Sequence, residues 1–150
     1  MVSSANSSED SRLRILGIDF GGKRIGLAVV DTEIRLPEPR GVLQASGTLA
    51  KDALAIRAIA QGESIATVVV GLPLDLDGET QMSRICRLLG QRLEETGLSV
   101  QFVDESMTSQ EAERAMRDAG MTAAEIRQRV DSEAACRILE RFMEGDGSQT

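Results

Sequence analysis

Chemistry in this chain must come mainly from carboxylates. Its 150 residues include no His, no Trp and no Tyr, and aromatic residues make up 2%. Without an imidazole there is no Ser-His-Asp or Cys-His nucleophile system, no His proton shuttle and no His-bearing zinc site. Acids are plentiful: 24 Asp and Glu against 17 Lys and Arg give a net charge of -7. Three places among them stand out. Asp19 interrupts a strand-like run whose neighbours Ile15, Leu16, Ile18 and Phe20 leave little polar surface, so its charge needs a partner, although a cap on the Gly21-Gly22 turn would also account for it. Asp104 and Glu105 follow directly on the strand-like run ending at Val103, where functional groups of open α/β sheets tend to lie. Capping of the next helix, beginning near Thr108 or Ser109, would account for either of them alone.

Asp131 is the most informative. At about 100° per residue, Ala134, Ala135, Ile138 and Phe142 fall within roughly 60° of it, while Glu133, Arg137, Glu140 and Glu144 lie opposite. Asp131 is therefore expected in the buried stripe of a helix over 130–143, in its first turn. A carboxylate facing a sheet is costly unless paired, neutralised or metal-bound, and Arg12, Arg14, Arg24 and Arg129 are the candidate cationic partners. Three acids converging at one sheet edge would repel one another unless divalent cations neutralise them. Oxygen ligands favour Mg²⁺ or Mn²⁺. Two such ions about 3.5–4 Å apart would activate water and stabilise the leaving oxygen in phosphodiester hydrolysis without any His.

The elements that must position these acids follow from the apolar pattern. Runs 13–20 and 25–31, joined by Gly21-Gly22-Lys23-Arg24, predict a hairpin. Segment 36–46 contains Pro37 and Pro39 and can supply an edge strand at best. A helix over 49–61 stopped by Gly62, a doubly buried strand over 65–72 and a helix carrying Met82, Ile85, Cys86, Leu89 and Leu93 come next. Gly97 closes that helix, a strand over 98–103 follows, and helices over 108–119 and 130–143 complete the pattern. The order predicts an α/β domain over 12–144, with a mixed central sheet starting from an antiparallel hairpin and helices on both faces. Residues 1–11 and 145–150 are small and polar and read as disordered tails.

Composition bounds the setting. No apolar run reaches the roughly 18 residues of a membrane span, and the Ser-rich, acidic N-terminus is unlike a signal peptide. Cys86 and Cys136 fall in apolar helical patterns and read as buried free thiols of a cytoplasmic protein.

Four segments resemble the YqgF-type family, bacterial ribonuclease H-like proteins described as pre-16S rRNA nucleases and as Holliday-junction-resolvase-like. They are Gly17 to Ala28 (GIDFGGKRIGLA), Val69 to Pro73 (VVGLP) with Asp77-Gly78, Val103 to Ser109 (VDESMTS) and Val130 to Ala135 (VDSEAA), in the family's order across roughly 13–143. The resemblance implies a ribonuclease H-like fold and a two-metal-ion nuclease that hydrolyses nucleic acid phosphodiesters with Mg²⁺ or Mn²⁺. It assigns catalysis and metal binding to Asp19, Glu105 and Asp131, and substrate binding to Lys23, Arg24 and Thr108. Processing of the 5′ end of pre-16S rRNA in ribosome biogenesis is its first implication, with ribosomal precursor particles as partners. Cleavage of four-way DNA junctions is the second. Two departures stand in the boxes. Ser106 occupies the place of a usual Arg, removing a cation near phosphate, and Gly22 the place of a common Thr.

Two other readings compete. Actin-like and sugar-kinase folds also start with a strand, an Asp, a Gly-rich turn and a second strand, but they enclose ATP between two such domains and this chain has length for one. A catalytically weak nucleic-acid-binding module is the other, suggested by Ser106 and the acidic surface. Phe20, Phe102 and Phe142 are the only aromatics and all fall at core-like positions, so recognition is expected through backbone and shape rather than base stacking. Arg84, Arg87 and Arg92 are expected on a solvated helix face.

Overall fold

The computed structural model describes residues 13–105 and 116–149 and, for residues 127–132 and 146–149, the backbone alone. The chain opens with a hairpin. Strands β1 (Arg14–Phe20) and β2 (Arg24–Asp31) pair antiparallel from Arg14↔Asp31 to Phe20↔Ile25. Their turn is tight: Gly21 N–H donates to Arg24 O at 2.9 Å, and Gly22 has a φ of +92°, which a residue lacking Cβ adopts without steric cost. Strand β3 (Glu38–Gln44) adds antiparallel to β2 at the sheet edge, where the donor missing at Pro39 is tolerated.

Helix α1 (Leu49–Gly62) returns the chain so that β4 (Thr67–Leu72) lies parallel to β1. Helix α2 (Gln81–Glu95) does the same for β5 (Ser99–Asp104) beside β4. The sheet order is β3-β2-β1-β4-β5. Alternation along the strands then separates two cores. Leu16, Ile18 and Phe20 of β1 and Val68, Val70 and Leu72 of β4 pack with Ala53 and Ile56 of α1 and Cys86, Leu89 and Leu93 of α2. Ile15 and Val69 face the other way, onto Ala135, Ile138, Leu139 and Met143 of α3 (Ala123–Gln149). The expected mixed sheet, hairpin first and helices on both faces, is what the chain forms. Cys86 is buried, Cys136 half-buried, and both are free thiols. Among the described residues no helix is long and apolar enough to cross a membrane.

Helix α3 departs from expectation at both ends. It starts at Ala123 rather than at residue 130, because Thr122 and Glu125 form a reciprocal cap: Thr122 N–H donates to Glu125 Oε1 at 2.9 Å, and Glu125 N–H to Thr122 Oγ1 at 3.2 Å. Asp131 therefore sits two turns inside the helix, not in its first turn. At the other end the helix runs on to Gln149, through Gly145 and Gly147; nothing in the described contacts explains that extension. Of the helix expected over 108–119, only residues 116–119 fall among the described residues, helical over 116–118.

Candidate active site

The parallel strands aim their C-terminal ends at one edge, and the acids gather there. Val70 pairs with Ile18 and with Phe102 across the sheet, so Asp19 comes level with Gly71 and Val103 one residue further on. Period-two alternation puts Gly17 and Asp19 on the α3 face with Ile15, and Glu105 on that face with Val103. Glu105 extends the ladder beyond β5, its N–H donating to Leu72 O at 2.9 Å. Asp19 and Glu105 thus stand on strands separated only by β4, and between them lies a residue without a side chain.

That residue, Gly71, clears the space. A Cβ there would stand 2.5 Å from Ile138 Cδ1 and 3.0 Å from Glu105 Oε2, so both the carboxylate and the helix occupy room that any other residue would fill. Gly17 performs a similar service lower on β1, where a Cβ would meet Leu139 Cγ at 2.6 Å and Ala135 O at 2.9 Å. Gly71 lies inside β4, within the strand expected over 65–72, and its signal in the sequence is a glycine among β-branched residues.

With the gap open, the acids meet. Burial pushes the Glu105 carboxyl up to about 8, helped by the Asp19 charge, by a hydrogen bond in which protonated Glu105 donates to Asp19, and by Asp104, while Arg137 pulls it down. The same acids act through the sheet on Cys86. Burial first, then the charges of Asp19 and Glu105, push its thiol up to about 12. Asp104, which spacing alone could not separate from Glu105, is exposed and points away from α3.

A pair of half-buried carboxylates that shares a proton is the donor set that a hard divalent cation fits, since the cation replaces the proton that now relieves their repulsion. Among the described residues no group of three or more such ligands is assembled. The side chain of Asp131 lies outside the described residues. The backbone course of α3 nonetheless brings residue 131 toward this edge. Met143 O accepts from Arg35 near the Arg14↔Asp31 end of the hairpin, Ala135 and Leu139 flank Gly17, and residue 131 is one turn further along in the direction of Asp19.

Lys23 and Arg24 occupy the hairpin turn just past Asp19, with Lys23 exposed and Arg24 half-buried. Lys23 O accepts from Ala45 N–H at 2.9 Å, which fixes the turn against the exit of β3. Thr108 and Ser106 lie outside the described residues. Arg14, a candidate partner for Asp131 whose side chain lies outside the described residues, pairs with Glu63 at 3.6 Å on the exposed surface. Arg87 and Arg92 pair with Glu79 and Glu95 on an exposed helix face, as expected. Phe102 is a correction. It was expected in the core but sits on the edge strand, exposed, with the Arg87 guanidinium 5.5 Å from its ring centre.

Comparison with known proteins agrees with this architecture. A family model described as "RuvX: Holliday junction resolvase" matches residues 13–145. A protein of Anaeromyxobacter sp. (strain Fw109-5) named "Putative pre-16S rRNA nuclease" is 39% identical over 135 residues, covering 89% of this chain and 98% of that one. A protein of the same name from Novosphingobium aromaticivorans is 37% identical over 127 residues, covering 84% and 81%. Among solved structures, T. thermophilus RuvC in complex with a Holliday junction substrate superposes with a TM-score of 0.55 at 16% identity, over 92% of this chain and 98% of that one. At that identity the likeness speaks for the ribonuclease H-like fold.

Proposed function

The chain belongs to the RuvX family, and we propose that it is a metal-dependent endonuclease that hydrolyses nucleic acid phosphodiesters at the Asp19–Glu105 edge. The observation that carries this reading is the carboxylate pair held over Gly71, which is strained by its own charge until a proton or a cation relieves it. Asp19 and Glu105, joined by Asp131, would hold Mg²⁺ or Mn²⁺, which when bound supplies an activated water and neutralises charge on the phosphodiester. The remaining work belongs to the chain. Glu105 gives up its proton on loading, Gly71 keeps the approach open, and Lys23 and Arg24 contact substrate phosphate from the turn beside Asp19. Thr108 is proposed to contact substrate as well.

Processing of the 5′ end of pre-16S rRNA is the first substrate reading, supported by the names of the relatives. A second reading, hydrolysis of four-way DNA junctions, is favoured by the description of the matching family model. Cleavage assays with both substrates and Mg²⁺ or Mn²⁺, on the wild type and on Asp19→Asn, test the proposal. Metal-dependent cleavage by the wild type that the variant lacks is expected, and the preferred substrate decides between the two readings. Equal cleavage by both proteins would refute the site, and binding without cleavage by the wild type would leave a binding module.

A further inference from the structure

The loop that leaves β4 beside Glu105 ends in an apolar tip. Leu72, whose carbonyl receives the Glu105 N–H, and Leu74 both pack into the core under α2, whereas Leu76 is fully exposed at 106%. Other exposed apolar residues, such as Leu54 at 59% and Leu88 at 50%, still cover about half their surface. Single exposed leucines are ordinary on protein surfaces, but this one crowns a firmly closed loop next to the acids. Asp75 and Gly78 exchange both backbone hydrogen bonds at 3.0 Å, Asp77 N–H donates to Asp75 Oδ1 at 2.8 Å, and Gly78 takes a φ of +102°. Thr80 Oγ1 then donates to Pro73 O at 2.8 Å and ties the two ends of the loop together.

On this geometry we propose that Leu76 is a base-contacting tip, packing against the face of an unpaired nucleobase of the substrate close to the scissile phosphate. The proposal rests on the nuclease reading above. Asp75 and Asp77 flank the leucine, and their carboxylates repel phosphate, so the loop is unsuited to riding along the backbone. A base face offers an apolar surface without that charge, and it is open to a side chain only where stacking is interrupted. Four residues from Leu72 reach at most about 14 Å, so the base lies within about four stacked nucleotides of the acids. Single-stranded RNA and the open centre of a branched DNA both present such bases. This adds base contact to a recognition that the aromatic-poor sequence assigned to backbone and shape alone.

The test uses the full chain and substrates carrying single 2-aminopurines at positions flanking the cleavage point, in single-stranded RNA and in a four-way DNA junction. Wild type and Asp19→Asn should raise the fluorescence of one position, and Leu76→Ala should abolish that rise while Leu76→Met restores it. In steady-state cleavage Leu76→Ala should raise KM by about tenfold with kcat little changed, as expected for an apolar contact of this size. An unchanged fluorescence response and KM in Leu76→Ala would overturn the proposal, as would a wild type that perturbs no position. The nuclease reading is judged separately, by whether Asp19→Asn loses cleavage, so the two can fail independently.

Discussion

The two faces of the sheet are made from alternate residues of the same strands, yet they are built on opposite principles. Under α1 and α2, β1 and β4 present Leu16, Ile18, Phe20, Val68, Val70 and Leu72, an unbroken apolar surface. Toward α3 the same strands present Ile15, Gly17 and Asp19, and Val69 and Gly71, so side-chain volume shrinks and charge appears toward one end. One face holds the fold together. The other gives up side chains at two glycines so that a helix can come close and two carboxylates can meet. The field of those acids reaches Cys86 on the far side, so the faces are divided in packing but not in electrostatics.

Substitution on each face should separate the two roles. Asp19→Asn or Glu105→Gln should lower cleavage by at least about a hundredfold, because a donor of the cation is lost. Its thermal midpoint should stay equal to the wild type or rise, since acid repulsion is relieved. Leu89→Ala, under α2, should do the reverse, costing about 2–5 kcal/mol in denaturant unfolding while the folded protein keeps its kcat. Unfolding of Asp19→Asn as severe as that of Leu89→Ala would break the distinction. Gly71→Ala lies on the boundary: its Cβ would crowd Ile138 and Glu105, so a loss of about 1–3 kcal/mol in unfolding should accompany reduced cleavage.

Smaller effects follow pH. Glu105 titrates near 4.5 in an unstructured chain and near about 8 in the fold. A raised folded value means that the protonated form is favoured, so this contribution to the stability of the metal-free protein is complete below about 4.5 and is lost as pH rises through about 8. A cation must displace that proton. Apparent Mn²⁺ affinity should therefore rise about tenfold per pH unit up to about pH 8 and then level off, which calorimetry in buffers of different ionisation enthalpy can follow. The smallest effect concerns Cys86. Its thiol should react with a disulfide reagent at neutral pH far more slowly than the same group in denaturant, because burial and the acids suppress the thiolate.

Much of this was legible in the sequence, for reasons that differ between residues. Asp19 stood out because every neighbour was apolar, and the hairpin, the edge strand with Pro39 and the doubly buried β4 each followed from local pattern. The choice between Asp104 and Glu105 was not legible from spacing. It depends on which face of β5 meets α3, and that is a tertiary fact. The start of α3 is signalled by Thr122-Ala-Ala-Glu125, a cap that apolar periodicity does not register, so Asp131 lies about two turns deeper than that pattern places it while staying in register with Ala135 and Ile138. Phe102 is less buried than its apolar pattern suggests because α2 covers its ring only in part, at Gly90, and leaves the rest open at the edge of the sheet.

The central claim is that Asp19 and Glu105 form a pair built to exchange a shared proton for a divalent cation. Titration of the wild type and Asp19→Asn with Mn²⁺ by calorimetry at pH 7.5 tests it most directly. The wild type should bind at millimolar concentration with release of a proton, and the variant at least about tenfold more weakly without that release. Equal affinity and equal proton release in the two proteins would contradict it.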